Sequence, residues 1–399
     1  MRSAVSIAAL FVLALAATAV EPAVWPRYNG PNGDGWSPAT GLNKDWTAKA
    51  PAELWRLTLG DKGYAGASCD GAAVYIIDHE GEQDIVRAID LAKGSELWRF
   101  AYKDTSKENY GFARATPALD NGKVFTLGRL GQLHCLDAKT GAKVWLVDIA
   151  ATFKGKLPGW QYSASPVVVG KTVVVSPGGD NAAFAALDVA TGKTVWTGGG
   201  SDKAAYATPV ITGKQLAGMT AAGLVVLEAA SGKTVLIYPW KTSHDVNSST
   251  PLITDAGIFI TSGYGTGCTM VKPEGASAKE VWKNKAIQSH MSSPLLHDGA
   301  IYCTSDPNAL VCLDAKTGKE NWRQKGFGKG GLMAVDGCLI VTEDKSGETA
   351  LVALDAKAYR ELGRVKPFNG GGDFWTQPVV AAGRLILRSK AELVCLDLR

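Results

Sequence analysis

The sequence predicts an all-β chain folded as an eight-bladed β-propeller with four antiparallel strands per blade. Three observations predict it. A ten-residue unit recurs through most of the 399 residues at a mean spacing of about 44, inside the roughly 40–50 expected of four-stranded blades. Glycine reaches 46 residues, well above its average share of roughly 7 %, which suits a turn-rich chain and not a helical bundle. The two chain ends carry complementary halves of one unit. Charged residues make up 20 % and the net charge is +4, with Lys and Arg scattered. That scatter excludes the basic stripe of a nucleic-acid binder, and the zero mean hydropathy excludes disorder.

Taken from the start, Met1-Arg2-Ser3 is a short basic opening and Ala4 to Ala16 an apolar run. Ala17-Thr18-Ala19 then offers the small-x-small site of a cleaved export signal, so residues 1–19 read as a signal peptide. The run is too short to span a bilayer, and no later segment is long and apolar enough. The first cysteine is Cys69, so no lipid-bearing Cys follows the cleavage site. The product is expected to be exported, soluble, periplasmic or extracellular, and not a lipoprotein. Residues 20–50 read as a leader and residues 51–399 as the propeller.

The repeat is clearest as Leu136-Asp137-Ala138-Lys139-Thr140-Gly141-Ala142-Lys143-Val144-Trp145. It recurs from Leu187-Asp188 through Gly192 to Trp196, and from Leu313-Asp314 through Gly318 to Trp322. Weaker copies run from Asp90 to Trp98, from Glu228 to Leu236, up to Trp282, and from Leu354-Asp355 to Leu362. Each unit has an earlier half that opens on Thr116-Pro117, Ser165-Pro166, Thr208-Pro209, Thr250-Pro251, Ser293-Pro294 or Gln377-Pro378. The Asp carboxylate suits the backbone N–H groups of its own turn, and the glycine suits the positive φ of the hairpin. The Trp falls on the outermost strand, where its flat face suits a neighbouring blade. These residues are therefore structural. The last copy ends at Leu396-Asp397-Leu398-Arg399 without its Trp strand, and Glu53-Leu54-Trp55-Arg56-Leu57 supplies it. Pairing the two closes the ring at eight blades, or at seven if a degenerate copy has merged.

Seven cysteines after an export signal invite a disulfide reading, but Cys135, Cys312 and Cys395 share a slot that Ala186 and Ala353 fill elsewhere. That slot asks for a small buried side chain. Cys303 and Cys312 remain a pair to test across a hairpin. Zinc spacing, a GxSxG elbow and HExxH are absent. Gly326 to Gly331 spells GxGxxG but leads into a strand, so no helix N-terminus awaits a phosphate.

The repeat Leu-Asp-x-x-Thr-Gly-x-x-x-Trp resembles the tryptophan-docking repeat of PQQ-like (pyrroloquinoline quinone) propellers, over about residues 25–399. That group includes the quinoprotein alcohol dehydrogenases and the BamB-type scaffolds. The opening Trp25-Pro26-Arg27-Tyr28-Asn29-Gly30-Pro31 is similar to the leader of exported PQQ-like proteins of planctomycete type, with Asn29 where an Arg is usual. The enzymatic branch implies an adjacent Cys pair and a Glu–Asn–Asp calcium set. No two cysteines here are adjacent, and the calcium set finds no convincing match.

Residues just before each inner strand should converge on one mouth of the central channel. In repeat register they are Tyr64, Arg114, Tyr162, Tyr206, Asn247, His290, Lys329 and Trp375. Aromatic, amide and cationic groups suit an anionic or planar ligand, including a quinone or a sugar. The bland alternative is a solvated loop surface. The expectation is a monomeric binding or scaffolding module for envelope proteins, with a small-molecule ligand as a second partner. No cofactor and no metal are expected. The alternatives are a PQQ- and calcium-dependent dehydrogenase and a carbohydrate-binding propeller.

Overall fold

The computed structural model describes residues 23–60 and 62–399, so the export-signal reading lies outside the described residues. Eight sheets follow one another around an axis as blades 1 to 8. Blades 1 to 7 occupy residues 68–103, 118–148, 167–198, 210–239, 252–284, 295–325 and 332–365. Blade 8 takes three strands from residues 379–397 and its fourth, Ala52–Thr58, from the other end of the chain. That strand pairs antiparallel with Glu392–Asp397, Trp55 opposite Cys395, and the pairing closes the ring. Blade 7 departs from four strands. Trp36–Ser37 adds to it in parallel beside Ala334 and Val335, making five.

The burial pattern follows from the stacking. Middle strands such as Gln132–Asp137 are covered on both faces by neighbouring blades and are nearly continuously buried. Outer strands such as Lys143–Asp148 bury one residue, Trp145, and expose most of the rest. Each outer strand carries a β-bulge just before that residue, as between Lys143 and Trp145, which turns the indole onto the next blade. The indole N–H then donates to a carbonyl there: Trp55 to Leu91 at 2.8 Å, Trp98 to Ala138 at 2.9 Å, Trp145 to Val189 at 3.2 Å, Trp282 to Ala315 at 3.0 Å and Trp322 to Asp355 at 2.9 Å. Trp196 sits the same way but its indole nitrogen has no partner. Under five of these rings lies the turn glycine of the next blade, while Trp322 meets Tyr359 of blade 7 at 5.8 Å. A Cβ on Gly94, Gly141, Gly232 or Gly318 would stand 2.4–2.6 Å from the indole, and one on Gly192 would stand 3.0 Å away.

The turn itself is held by its aspartate. Asp137 accepts from the backbone N–H of Lys139 and Thr140 and from the Thr140 hydroxyl at 2.8 Å. Asp188 and Asp314 repeat the arrangement, and the threonine hydroxyl in each case holds the carboxyl below its usual range. Asp90 accepts from Ala92 and Lys93, and Asp397 from Arg399.

Blade 7 differs from the sequence register. Cys338 pairs with Ala353 where Lys123 pairs with Asp137, so Ala353 holds the aspartate position and Asp355 lies two residues beyond it. Asp355 caps only the N–H of Lys357. The turn is longer, and the tryptophan register falls on Gly363, opposite Leu351, with Leu362 in the bulge. Leu354-Asp355 imitates the repeat dipeptide in a chain whose real copy has lost its polar signature. The missing ring comes from the leader: Trp46, buried, lies against Gly363, where a Cβ would meet its own Cβ at 2.5 Å. The cysteine pair is also resolved. Cys303 faces Val311 and Cys312 faces Tyr302, and all seven thiols are free and buried.

Replacing Trp46 by Ala should lower the unfolding free energy by about 3–5 kcal/mol. Urea titration should show an earlier midpoint at an unchanged slope. An unaltered midpoint would mean that blade 7 does not depend on the leader.

Candidate functional site

The leader determines which end of the axis is open. Trp25 forms a bridge with Cys69 of blade 1, Pro26 accepts from Leu119 of blade 2, and Arg27 donates to Val168 of blade 3. Trp36 donates to Leu296 of blade 6, and Ser37 to Val380 of blade 8. The crossing is tight, since a Cβ on Gly35 would lie 2.0 Å from Leu295. Tyr28 stands at the bottom of the axis, its hydroxyl 2.9 Å from the Ser293 hydroxyl. Above it runs a belt of inner-strand openings. Ser165 accepts from the N–H of Thr116, Thr208 from that of Ser165, and Ser293 from that of Thr250. Plug and belt convert the channel into a blind well of about 330 Å³, open at the other mouth.

Six of the eight positions in predicted register line this well: Tyr64, Arg114, Tyr206, His290, Lys329 and Trp375. Tyr162 and Asn247 do not. Tyr162 is buried beside the wall and donates to the Pro177 carbonyl at 2.8 Å. Asn247 is buried as a bracket: its amide donates to Thr220 and Trp240, and its backbone carbonyl accepts from Tyr206 and Ala207. The reason is a one-residue offset in extended chain, which turns a side chain to the opposite face. Their neighbours Ser163 and Ser248 take the lining positions, as Met291 does beside His290.

The wall is aromatic and cationic. Tyr64 and Trp375 stack at 4.9 Å and 19°. Lys329 lies 5.9 Å from the Trp375 ring, and Lys390, behind, lies 5.5 Å from Tyr64. Arg114 donates to the carbonyls of Trp160 at 2.5 Å, of Gly111 at 3.1 Å and of Asn109, and no carboxylate among the described residues bonds it. Burial, aided by the charge of Arg129, pushes its guanidinium down to about 10. Among the described residues that line the well, none is Asp or Glu. Two acids among the described residues stand behind the wall. Asp306 is 3.2 Å from His290, and Asp373 holds Lys345 at 2.7 Å and Lys390 at 2.9 Å.

Around the mouth runs an arc of rings, of which register alignment missed Tyr110, Trp160, His244 and Tyr264. Tyr110 meets Trp160, Trp160 meets Tyr206 and His244, His244 meets Tyr264, and Tyr264 meets His290, at centroid distances of 4.5–6.4 Å. Tyr110, His244 and Tyr264 have φ of 56°, 62° and 55°. Bulky residues avoid that left-handed region at a cost of about 1–3 kcal/mol each, and such strain collects at functional sites. A signal was present in the sequence: Tyr110 and Tyr264 each adjoin a glycine in a loop, where a large ring has no turn role.

One other cluster has the composition of a metal site, His79 with Asp84 and Asp104, all buried. Its bonding is otherwise occupied. His79 Nδ1 lies 2.9 Å from Asp84 and Nε2 lies 2.8 Å from the Gly81 carbonyl, so a protonated ring finds an acceptor at each nitrogen. Asp104 is held by Arg129 at 2.6 Å. Phe112 fills the space between, stacked on His79 at 3.6 Å and under Arg129 at 4.6 Å. Burial alone would lower the His79 pKa, but the Asp84 and Gly81 bonds outweigh it and raise it. Hence the stabilisation over His79→Gln should be complete below the ordinary histidine pKa of about 6.5 and fade as pH rises through the raised value. Urea midpoints of both proteins from pH 6 to 9 test this. A gap that widens with pH would contradict it.

Eight blades closed around a plugged axis define a PQQ-like β-propeller. The chain belongs to the family described as outer membrane protein assembly factor BamB, whose model matches residues 81–324. It is 23 % identical over 301 residues to outer membrane protein assembly factor BamB of Moranella endobia, covering 69 % of this chain and 72 % of that protein. Its fold matches BamB of Moraxella catarrhalis with a TM-score of 0.61 at 18 % identity, over 87 % of this chain and 99 % of the other. It also matches quinohemoprotein alcohol dehydrogenase of Comamonas testosteroni with a TM-score of 0.69 at 13 % identity, over 96 % and 81 %. No helix among the described residues is long and apolar enough to cross a membrane.

Proposed function

We propose that this chain is a binding propeller of the bacterial cell envelope that holds a protein partner at its open mouth. The carrying observation is the strained aromatic arc. Tyr110 is 66 % and Tyr264 43 % exposed, so neither backbone conformation is repaid by burying its own ring. Aromatic residues on rigid loops are what protein interfaces use as anchors. The envelope setting, and a partner that is itself a protein, draw support from relatives named as outer membrane protein assembly factors. The chain acts as a monomer in this reading, exported as its first nineteen residues suggest.

The dehydrogenase alternative draws on the quinohemoprotein neighbour, but the wall chemistry weighs against calcium. Calcium takes six to eight oxygen ligands, usually including carboxylates, and the described lining offers none. No step through PQQ or calcium is derived for this chain.

The test exploits the strain. Glycine adopts positive φ without penalty, so Tyr110→Gly with Tyr264→Gly should melt no lower than the parent while losing its partner. Anchors of about 2 kcal/mol each predict a drop of at least tenfold in the amount of partner captured from an envelope extract. Undiminished capture by a well-folded double variant would refute the proposal.

A further inference from the structure

Inside the rim the well has a chemistry of its own. Its described lining holds two cations, Arg114 and Lys329, and no carboxylate. Arg114 spends its donors on backbone carbonyls, and no carboxylate among the described residues bonds this largely buried positive charge. Two polar atoms are buried at this wall with no partner, the indole nitrogen of Trp375 and the hydroxyl of Ser292. Ser292 is only 4 % exposed. Unpaired buried donors are rare in native proteins, and each calls for an acceptor. Serine and threonine hydroxyls line the lower wall, and the stacked Tyr64–Trp375 pair forms one side.

We infer that the axial well is a binding site for an acidic sugar, a uronate-type ring whose carboxylate faces Arg114 and Lys329. The apolar face of a pyranose matches an aromatic wall, and its hydroxyls supply acceptors for Trp375 Nε1 and Ser292 Oγ. An aromatic acid would satisfy the rings and the cations but leave those donors unpaired. A neutral sugar would leave Arg114 without its counter-charge. The volume of about 330 Å³ falls at the small-ligand end of binding cavities, roughly 300–1,000 Å³. The inference concerns the interior of the well and goes beyond the docking of a protein on the rim.

The probes are D-glucuronate and trigalacturonate, titrated into the full mature chain by calorimetry and by tryptophan fluorescence. D-glucose and PQQ with and without calcium are the comparison arms. Saturable uronate binding is expected, about tenfold or more tighter than glucose, since a charge-assisted bond is lost with the carboxylate. Raising the salt should weaken it. Lys329→Gln and Trp375→Phe each remove a contact while making no demand on the fold, because neither the ammonium nor the indole nitrogen holds a hydrogen bond here. Each should weaken binding severalfold at an unchanged melting temperature. Absence of saturation by either uronate, equal binding of glucose, or full affinity in both variants would overturn the inference, as would PQQ outcompeting uronate for the same residues. The Lys329→Gln and Trp375→Phe proteins separate this site from the rim: each should keep its protein partner while its uronate binding weakens.

Discussion

The architecture depends on an indole laid on a glycine of the neighbouring blade, with its N–H donated to a carbonyl one residue past the turn aspartate. Each part is meaningless alone. The bulge aims the ring, the glycine leaves room for it, and the aspartate holds the glycine's turn in shape. Because each contact joins one blade only to the next, stability runs around the ring as a chain of similar seams. Where the repeat fails, something else must fill the seam. In blade 4 a leucine does, and in blade 7 the leader's Trp46 stands against Gly363.

The leader therefore has two duties that share one path. It repairs a seam at the rim of the ring and stoppers the axis at its centre, touching most blades on the way. The stopper leaves a single open mouth, and polar and aromatic side chains from the loops converge there. The cations of the well face no acid on its described lining, and the rings of the rim are held in a backbone conformation they disfavour. Both features cost stability without serving the ring, which is how a binding surface differs from the repeat that carries it.

Most of the fold was legible because the repeat is chemically redundant: Asp, Gly and Trp recur at fixed offsets and each has a physical reason to be there. Closure by Trp55 was legible for the same reason. Blade 7 was not, since Leu354-Asp355 copies the dipeptide two residues out of step and only the strand pairing of Ala353 reveals it. The well was legible at Tyr64, Arg114, Tyr206 and Trp375, each four residues before the first residue of its inner strand. At Tyr162 and Asn247 an offset of one residue reversed the side chain, because extended backbone alternates. Tyr110, Trp160 and Tyr264 escaped altogether, as they belong to loops outside the repeat and meet only in three dimensions.

The closing strand has a consequence in time. Ala52–Thr58 is made more than three hundred residues ahead of its partner, Glu392–Asp397. Until then the first blades can stack in sequence, but the outer strand of blade 8 has no sheet to join and Trp55 has no sheet behind it. A nascent chain must therefore carry an unpaired β-strand and a bare indole through more than three hundred residues of elongation, the interval in which aggregation competes with folding. Pairing so distant in sequence makes final closure the slow step. Any factor that shields Ala52–Thr58 during that wait would govern the yield of folded protein without contributing to its final stability.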